Sequence, residues 1–335
     1  MRVTILMATY NGAAFIEQQI NSILEQSYQD WELIIRDDRS TDRTVEIIKT
    51  YVKKDRRIKL LELPGKHGSA VLNFSALFAY AVKIDAAYVM FSDQDDIWKA
   101  NKVESSLRFI QEQESVLNNL TPLLVYSSLQ YVDVHGHRIS RKLHMPSYLD
   151  MRMLLCENHA YGCTMILNNA LLKQTGDIPH LAENHDYWIA LVACAFGKAV
   201  HNPEQLLFYR QHSHNVSGNV GRSKLNSRLF RYVRRVNHML PVFVKNLRMI
   251  KGFYIRYSAS FEPEVGALIS GYLRAFEKTS FRLFLFMSWN RLRKLKVLQS
   301  LTHYYIVARL REETLLHLAP QFARSDGHVE MEKKS

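Results

Sequence analysis

The feature that most restricts what this chain can fold into is a repeat of short apolar run, polar cluster and helical spacing, met three times in the first hundred residues and followed there by a fourth run and cluster. Val3 to Ala8 stops at Tyr10-Asn11-Gly12, after which Ile16, Ile20, Ile23 and Leu24 recur at the helical period. Trp31 to Ile35 ends in Asp37-Asp38, and Ser40-Thr41-Asp42 is placed to cap a helix carrying Val45, Ile47, Ile48 and Val52. Ile58 to Leu63 closes on Pro64-Gly65, and a helix is expected from about Ser69 to Lys83. Tyr88-Val89-Met90-Phe91 then runs directly into Ser92-Asp93-Gln94-Asp95-Asp96. This alternation predicts an α/β fold with a doubly wound, mostly parallel sheet, whose ligand crevice lies at the carboxyl ends of the strands.

Three of those ends carry polar chemistry: Thr9-Tyr10-Asn11, Asp37-Asp38 and Asp93 to Asp96. Each cluster alone reads equally as turn or cap residues, and their convergence on one rim is what marks a site. Neither GxGxxG nor GxxxxGK[ST] occurs in this part, so phosphate must be held without the usual glycine-rich loops. Asp93, Asp95 and Asp96 would repel one another in a dry crevice unless a cation sits among them. Hard oxygen ligands suit Mg²⁺ or Mn²⁺, although an acidic turn before the helix expected near Lys99 reads the same way.

Further along, Leu123 to Val132, Thr164 to Leu167 and Leu206 to Phe208 read as strands. His185-Asp186-Tyr187-Trp188 opens an apolar segment, where Asp186 is either a helix cap or a base facing the metal. Tyr209-Arg210-Gln211-His212 adds a cation in Arg210 and a metal ligand or phosphate donor in His212, although a lone histidine is commonly structural.

Composition enters through charge. Residues 221–335 hold 22 Lys and Arg against 8 Asp and Glu, +14, whereas residues 1–220 hold 22 against 24, −2. A nearly neutral domain thus carries a basic appendage that faces something anionic, nucleic acid or acidic lipid. Leu225, Leu229, Tyr232, Val233, Val236 and Leu240 are interleaved with Arg228, Arg231, Arg234 and Arg235, and Pro241 is expected to break or kink that helix. Phe281, Phe284, Phe286, Trp289, Leu292 and Leu295 stand beside Arg282, Arg291, Arg293, Lys294 and Lys296, the composition of an interfacial helix on anionic lipid; a packing or dimer face is the other reading. Residues 325–335 read as a disordered tail.

Three cysteines without a CxxC pair argue against a zinc ribbon or a disulfide framework and for a reducing cytosol. The first apolar run is too short for a signal peptide, and the longest uncharged stretch, Ser115 to Val132, is too polar for a spanning helix. The expected location is cytoplasmic, peripheral to the inner face of the plasma membrane.

Taken in order, Leu6-Met7-Ala8-Thr9-Tyr10-Asn11-Gly12, Ile20-xx-Ile23-Leu24-xx-Ser27, Asp37-Asp38-Arg39-Ser40-Thr41-Asp42 and Ser92-Asp93-Gln94-Asp95-Asp96 resemble glycosyltransferase family 2, across roughly residues 1–220. The wording of residues 91–98, with His185-Asp186-Tyr187-Trp188 and Tyr209-Arg210-Gln211-His212, is most similar to bacterial rhamnosyltransferases of capsule and cell-wall polysaccharide synthesis. The resemblance implies a GT-A fold over residues 1–220, followed by the basic helical region 221–324. It implies an inverting, metal-dependent transfer to a hydroxyl of a lipid-linked saccharide acceptor. The donor would be dTDP-L-rhamnose or a UDP-sugar.

Residue by residue, the resemblance implies that Tyr10 and Asp38, flanked by Thr9 and Asn11, hold the nucleobase. Asp93 would bind ribose or belong to the metal shell, Asp95 would ligate Mn²⁺ or Mg²⁺, and Asp186 would be the base. His212 would reach the metal or diphosphate. Many members carry Arg-Asn before the aspartate motif, where Leu72-Asn73 stands here, so Arg210, Lys66 or His67 would meet the diphosphate instead. A homodimer is left open. A nucleic-acid-binding protein is opposed by the acidic rim, and a nucleotidyltransferase by the lack of a basic glycine-rich loop.

Overall fold

The computed structural model describes residues 1–65, 68–140, 145–212, 228–278 and 280–292. The chain divides into two compact units, residues 1–225 and 226–335. Lys66, His67, Leu225, Arg293, Lys294, Leu295, Lys296 and the tail 325–335 lie outside the described residues.

The first unit follows the alternation. It runs β1 (Val3–Thr9), α1 (Ile16–Leu24), β2 (Trp31–Asp37), α2 (Thr44–Lys54), β3 (Ile58–Leu60), α3 (Ala70–Lys83), β4 (Tyr88–Ser92), β5 (Ile97–Trp98) and α4 (Lys102–Leu117). Then come β6 (Leu123–Val132), β7 (Tyr148–Leu149), α5 (Met151–Leu154), β8 (Met165–Asn168), α6 (Asn169–Thr175), α7 (His185–Phe196) and β9 (Lys198–Arg210). One sheet takes the order β3-β2-β1-β4-β8-β6-β9-β5, with β7 paired to β9. β3, β2, β1 and β4 are mutually parallel, β8 runs antiparallel between β4 and β6, and β6 and β9 are parallel again. This is the GT-A arrangement.

Alternation along the strands builds two faces. Val3, Ile5 and Met7 of β1 join Ile16, Ile20 and Ile23 of α1, Ile48 of α2 and Val103, Leu107 and Ile110 of α4 in one buried core. On α3, Phe74 and Phe78 meet Phe91 of β4 at ring centroids 5.8 and 6.3 Å apart. Ser69 caps α3 by accepting a hydrogen bond from the Leu72 amide at 3.3 Å. Where α7 turns into β9, a Cβ on Gly197 would lie 1.8 Å from the Pro122 carbonyl oxygen, so only glycine lets these backbones approach.

The register places the site. Val3 pairs with Trp31 and Thr9 with Asp37, so β1 and β2 end side by side, while Met7 pairs with Ser92. After β1 the chain crosses to β2 on one side, and β4 adds to the other. The polar ends therefore line the switch point between β1 and β4, the place where sheets of this kind hold a ligand.

The second unit holds α8 (Arg228–Tyr257), α9 (Pro263–Lys278) and α10 (Ser280–Trp289). The helix expected to break or kink at Pro241 is not ended there: α8 runs through it for 30 residues. One missing N–H removes a single bond from so long a ladder. Met249, Ile250 and Phe253 of α8, Ile269 and Tyr272 of α9, and Leu283 and Met287 of α10 are buried, whereas Leu285 and Trp289 are exposed, Trp289 at 89%. No described helix is long and apolar enough to cross a membrane.

Candidate active site

The first two strand ends are tied together by their own side chains. Thr9 Oγ1 donates to Asp37 Oδ2 at 2.8 Å, and Asp37 also accepts from the Ser40 amide and hydroxyl at 2.7 and 2.6 Å. Asn11, at φ +47°, occupies the left-handed region that asparagine tolerates. Its amide donates to Ser40 Oγ at 2.8 Å, and its Oδ1 accepts from the Thr41 amide at 2.8 Å, so it staples one loop to the other. Asp38 is buried and accepts from the Gly68 amide at 2.8 Å. The Gln94 amide pairs with both backbone groups of Tyr10, each at 2.9 Å, and leaves that ring 55% exposed on the rim.

Asn73 stands where the resemblance leads one to expect the second residue of Arg-Asn. It is buried and donates to the Thr9 and Arg36 carbonyls at 3.3 and 3.0 Å, while its Oδ1 accepts from Arg36 Nη1 at 3.1 Å. Its amide thus braces the ends of β1 and β2 from beneath.

The aspartates after β4 are more densely charged than the sequence suggests. Asp93, Asp96 and the Cys163 thiol bring ligand atoms within 4.8 Å of one another, the grouping of this kind among the described residues. Asp96 is 1% exposed; its Oδ1 accepts from the Arg210 amide at 3.3 Å and its Oδ2 meets no N–H or O–H donor. Burial, with Asp95 and Asp186 adding repulsion, pushes Asp93 up to about 7. Burial also raises Asp96 well above the carboxylate range, reinforced by Asp93 and Asp95. Beneath them the fully buried Lys102 donates to the Cys163 carbonyl at 3.0 Å and lies 4.7 Å over the Trp98 ring; burial pulls it down to about 8.

Asp95 and His212 meet directly, Oδ2 to Nε2 at 2.7 Å, and the imidazole stacks on Phe15 at 4.8 Å. Arg210 is buried: Nε donates to the Asp95 carbonyl at 2.9 Å, Nη1 to the Val134 carbonyl and Nη2 to Gln18 Oε1, both at 2.6 Å. The guanidinium clasps the Asp95 segment to α1 and to the loop after β6, and also lies 5.0 Å over Phe15.

Asp186 sits in the first turn of α7, and its Oδ2 accepts from the Gly162 amide at 3.0 Å. Burial pushes it up to about 6, opposed by hydrogen bonds from the Gly162 and Tyr187 amides and the Asn158 side chain. The neighbouring His185 is buried against Phe74 at 4.0 Å and pulled down to about 3 by burial, so it is a neutral packing ring at physiological pH.

The fold thus brings Asp93, Asp95 and Asp186 within electrostatic reach, and Asp95 into contact with His212. It groups Asp93 with Asp96 and Cys163 rather than with Asp95 and His212 in a set of three. Two raised carboxyls that share one buried thiol are what a divalent cation would relieve, and the carboxylate oxygens of Asp93, Asp95 and Asp96 fit Mg²⁺ or Mn²⁺. The sequence gives no role to Lys102, Cys163 or Phe15, and names Asn73 and Gln94 only as members of motifs. A lysine opening a helix and an isolated cysteine carry no local signal of burial; their partners lie about sixty residues away along the chain.

Comparison with known proteins gives a match to Glycosyl transferase family 2 over residues 4–173. The chain is 30% identical over 242 residues to the putative teichuronic acid biosynthesis glycosyltransferase TuaG of Bacillus subtilis, covering 71% of this chain and 90% of that one. It is 28% identical over 245 residues to the UDP-Glc:alpha-D-GlcNAc-diphosphoundecaprenol beta-1,3-glucosyltransferase WfgD of Escherichia coli, covering 73% and 87%. It is 39% identical to the dTDP-rhamnosyl transferase RfbG of Shigella flexneri, over 102 residues that cover 30% and 35%. Among solved structures, residues 1–349 of S. aureus TarS with UDP-GlcNAc superpose at TM-score 0.51 and 17% identity, covering 97% and 88%.

Proposed function

Because the chain belongs to glycosyl transferase family 2, we propose that it moves a sugar, with inversion, from a nucleoside diphosphate donor to a hydroxyl of a lipid-linked saccharide in bacterial surface-polysaccharide synthesis. The observation that carries this reading is the juxtaposition of two chemistries. Asp95 meets His212 next to Asp93, and Asp186, lifted to about 6, is close enough to repel the charge on Asp93.

In this reading Tyr10 offers a ring for the nucleobase, with Thr9, Asn11 and Asp38 shaping the floor beneath it. Asp93 faces the ribose or the metal shell. A Mn²⁺ or Mg²⁺ ion held by Asp95 and Asp93, with His212 beside them, would neutralise charge on the leaving diphosphate. Asp186 accepts the proton of the acceptor hydroxyl as its oxygen bonds to the anomeric carbon and the carbon–oxygen bond to the diphosphate breaks. A carboxylate near 6 is ionised at neutral pH yet basic enough for the task, a contribution of about 10²- to 10⁴-fold. Arg210 keeps Asp95 and His212 in place through the Asp95 carbonyl and Phe15.

L-Rhamnose from dTDP-L-rhamnose is the donor favoured by the wording of residues 91–98 and by the likeness to RfbG. A UDP-hexose is the second reading, favoured by the likeness to WfgD, which spans much more of the chain. The likeness to TuaG, of teichuronic acid biosynthesis, and to WfgD, which acts on a diphosphoundecaprenol-linked sugar, supports a polymer or lipid-linked acceptor. The +14 charge of residues 221–335, with exposed Leu285 and Trp289, supports a cytoplasmic enzyme peripheral to the inner face of the plasma membrane.

The test is transfer by the purified chain from dTDP-rhamnose and from UDP-hexoses to a synthetic diphosphate-linked lipid saccharide, with Mn²⁺, Mg²⁺ or chelator. Product from a UDP-sugar alone replaces rhamnose by the second reading. Product at full rate in chelator removes the metal from it.

A further inference from the structure

A fully buried ammonium lies beneath the site. Lys102 is 0% exposed, meets one hydrogen-bond acceptor among the described residues, the Cys163 carbonyl at 3.0 Å, and lies over the Trp98 ring. Taking a lysine head group out of water is costly, and an apolar chain of the same length would fill that space without the cost. What the ammonium gains is a hold on the Cys163 carbonyl. Cys163 is the middle residue of a 3-10 turn, Gly162–Thr164, that leads into β8. One residue earlier, the Gly162 amide donates to Asp186 Oδ2 at 3.0 Å. In so tight a turn the neighbouring peptide units move together. The turn also rests on His185: a Cβ on Gly162 would lie 2.5 Å from Nε2 of that ring, which is itself held against Phe74 and Phe91 at 4.0 and 4.8 Å.

We propose that Lys102 is a positioning residue for the base: it fixes the Gly162–Thr164 turn through the Cys163 carbonyl, and the turn aims Asp186 through the Gly162 amide. This inference rests on the reading of Asp186 as the base in glycosyl transfer. Lys102 touches no reacting atom. Removing its ammonium leaves the Cys163 carbonyl without that donor, frees the turn, and lets the carboxylate drift from the acceptor hydroxyl. A misplacement of about 1 Å at a reacting group costs about 100-fold, so Lys102→Met should lower kcat by about 10- to 100-fold while nucleotide affinity stays within a few fold.

The experiment pairs a transfer assay with amide hydrogen exchange, read by nuclear magnetic resonance on the full chain carrying isotope-labelled glycine. In the assay, Lys102→Met lowers kcat in the native background and has little further effect in Asp186→Asn, because both changes act through one carboxylate. A lysine that only supported the fold would add its loss to that of Asp186→Asn. The exchange measurement needs no transfer. The Gly162 amide exchanges at least about tenfold faster in Lys102→Met and in Asp186→Asn than in the native chain, while the Gly197 amide, bonded to the Ala193 carbonyl, is unmoved. Should Lys102→Met fail to fold by circular dichroism, Gly162→Ala, which drives a Cβ against His185, shows the same loss of kcat and the same lack of addition. A native chain without transfer activity overturns the glycosyl-transfer reading, and Gly162 exchange then decides whether Lys102 holds the turn. Full kcat in either variant, losses that add to that of Asp186→Asn, or unchanged Gly162 exchange in Lys102→Met overturns the proposal.

Discussion

Replacing Asp93 by asparagine should stabilise the metal-free protein at alkaline pH. In the folded chain burial, Asp95 and Asp186 hold Asp93 at about 7, against about 3.9 for an unfolded aspartate. The folded state therefore keeps a proton that the unfolded state has already lost between pH 4 and 7. Stability falls with rising pH across that window and stays reduced above it. About three units at 1.36 kcal/mol each set a ceiling near 4 kcal/mol. Asp93 is partly exposed and shares its repulsion with Asp95 and Asp186, so about 2 kcal/mol is the working figure. For a unit of this size that corresponds to about 4–8 °C in Tm. The assay is thermal denaturation followed by circular dichroism in chelator at pH 5 and pH 8. Native protein should lose more Tm between the two than Asp93→Asn does, by that amount, and Mn²⁺ at pH 8 should restore the native chain only. An asparagine variant with an unchanged or lower Tm at pH 8 would refute the charge-repulsion argument.

Asp186→Asn should lower transfer by about 10²- to 10⁴-fold while leaving nucleotide affinity within a few fold, and an active variant would remove Asp186 from the mechanism. In the native chain kcat/KM should fall about tenfold per pH unit below the value near 6 at which Asp186 takes a proton; a profile flat down to pH 5 speaks against Asp186 as the base. Gly197→Ala drives a Cβ to 1.8 Å from the Pro122 carbonyl oxygen and should cost about 2–3 kcal/mol, read as a Tm drop of about 5–10 °C. The full chain should pellet with acidic vesicles and be released by moderate salt, and equal binding to neutral vesicles would refute the electrostatic part.

The doubly wound half was legible because its strands are buried on both faces and read as mainly apolar runs ending in polar clusters: Val3 to Ala8, Trp31 to Ile35 and Tyr88 to Phe91 each fall inside a strand. The 13 residues of β9 were legible only at Leu206 to Phe208, since its earlier part carries Asn202, Pro203, Glu204 and Gln205 and shifts register against β6. Asp93, Asp95 and Asp186 could be singled out by residue type and position. Their setting could not, because it is made by burial and by partners distant in sequence: Lys102, Cys163 and Arg210 reach the cluster from α4, the segment before β8 and the end of β9. Arg210 reads in sequence as a cation offered to a diphosphate, and in the fold it is drawn in by Gln18 and two backbone carbonyls.

The central claim is a metal-assisted nucleoside diphosphate site at the ends of β1, β2 and β4. It is tested most directly by thermal shift with the diphosphates of deoxythymidine, uridine and guanosine, each with Mn²⁺, Mg²⁺ or chelator. A ligand bound only by the folded chain at 100 times its Kd stabilises it by about 2.7 kcal/mol. The account predicts such a rise for one of the first two nucleotides, present with metal, lost in chelator and lost in Asp95→Asn. No shift with any nucleotide, or a shift that chelator leaves intact, would contradict it.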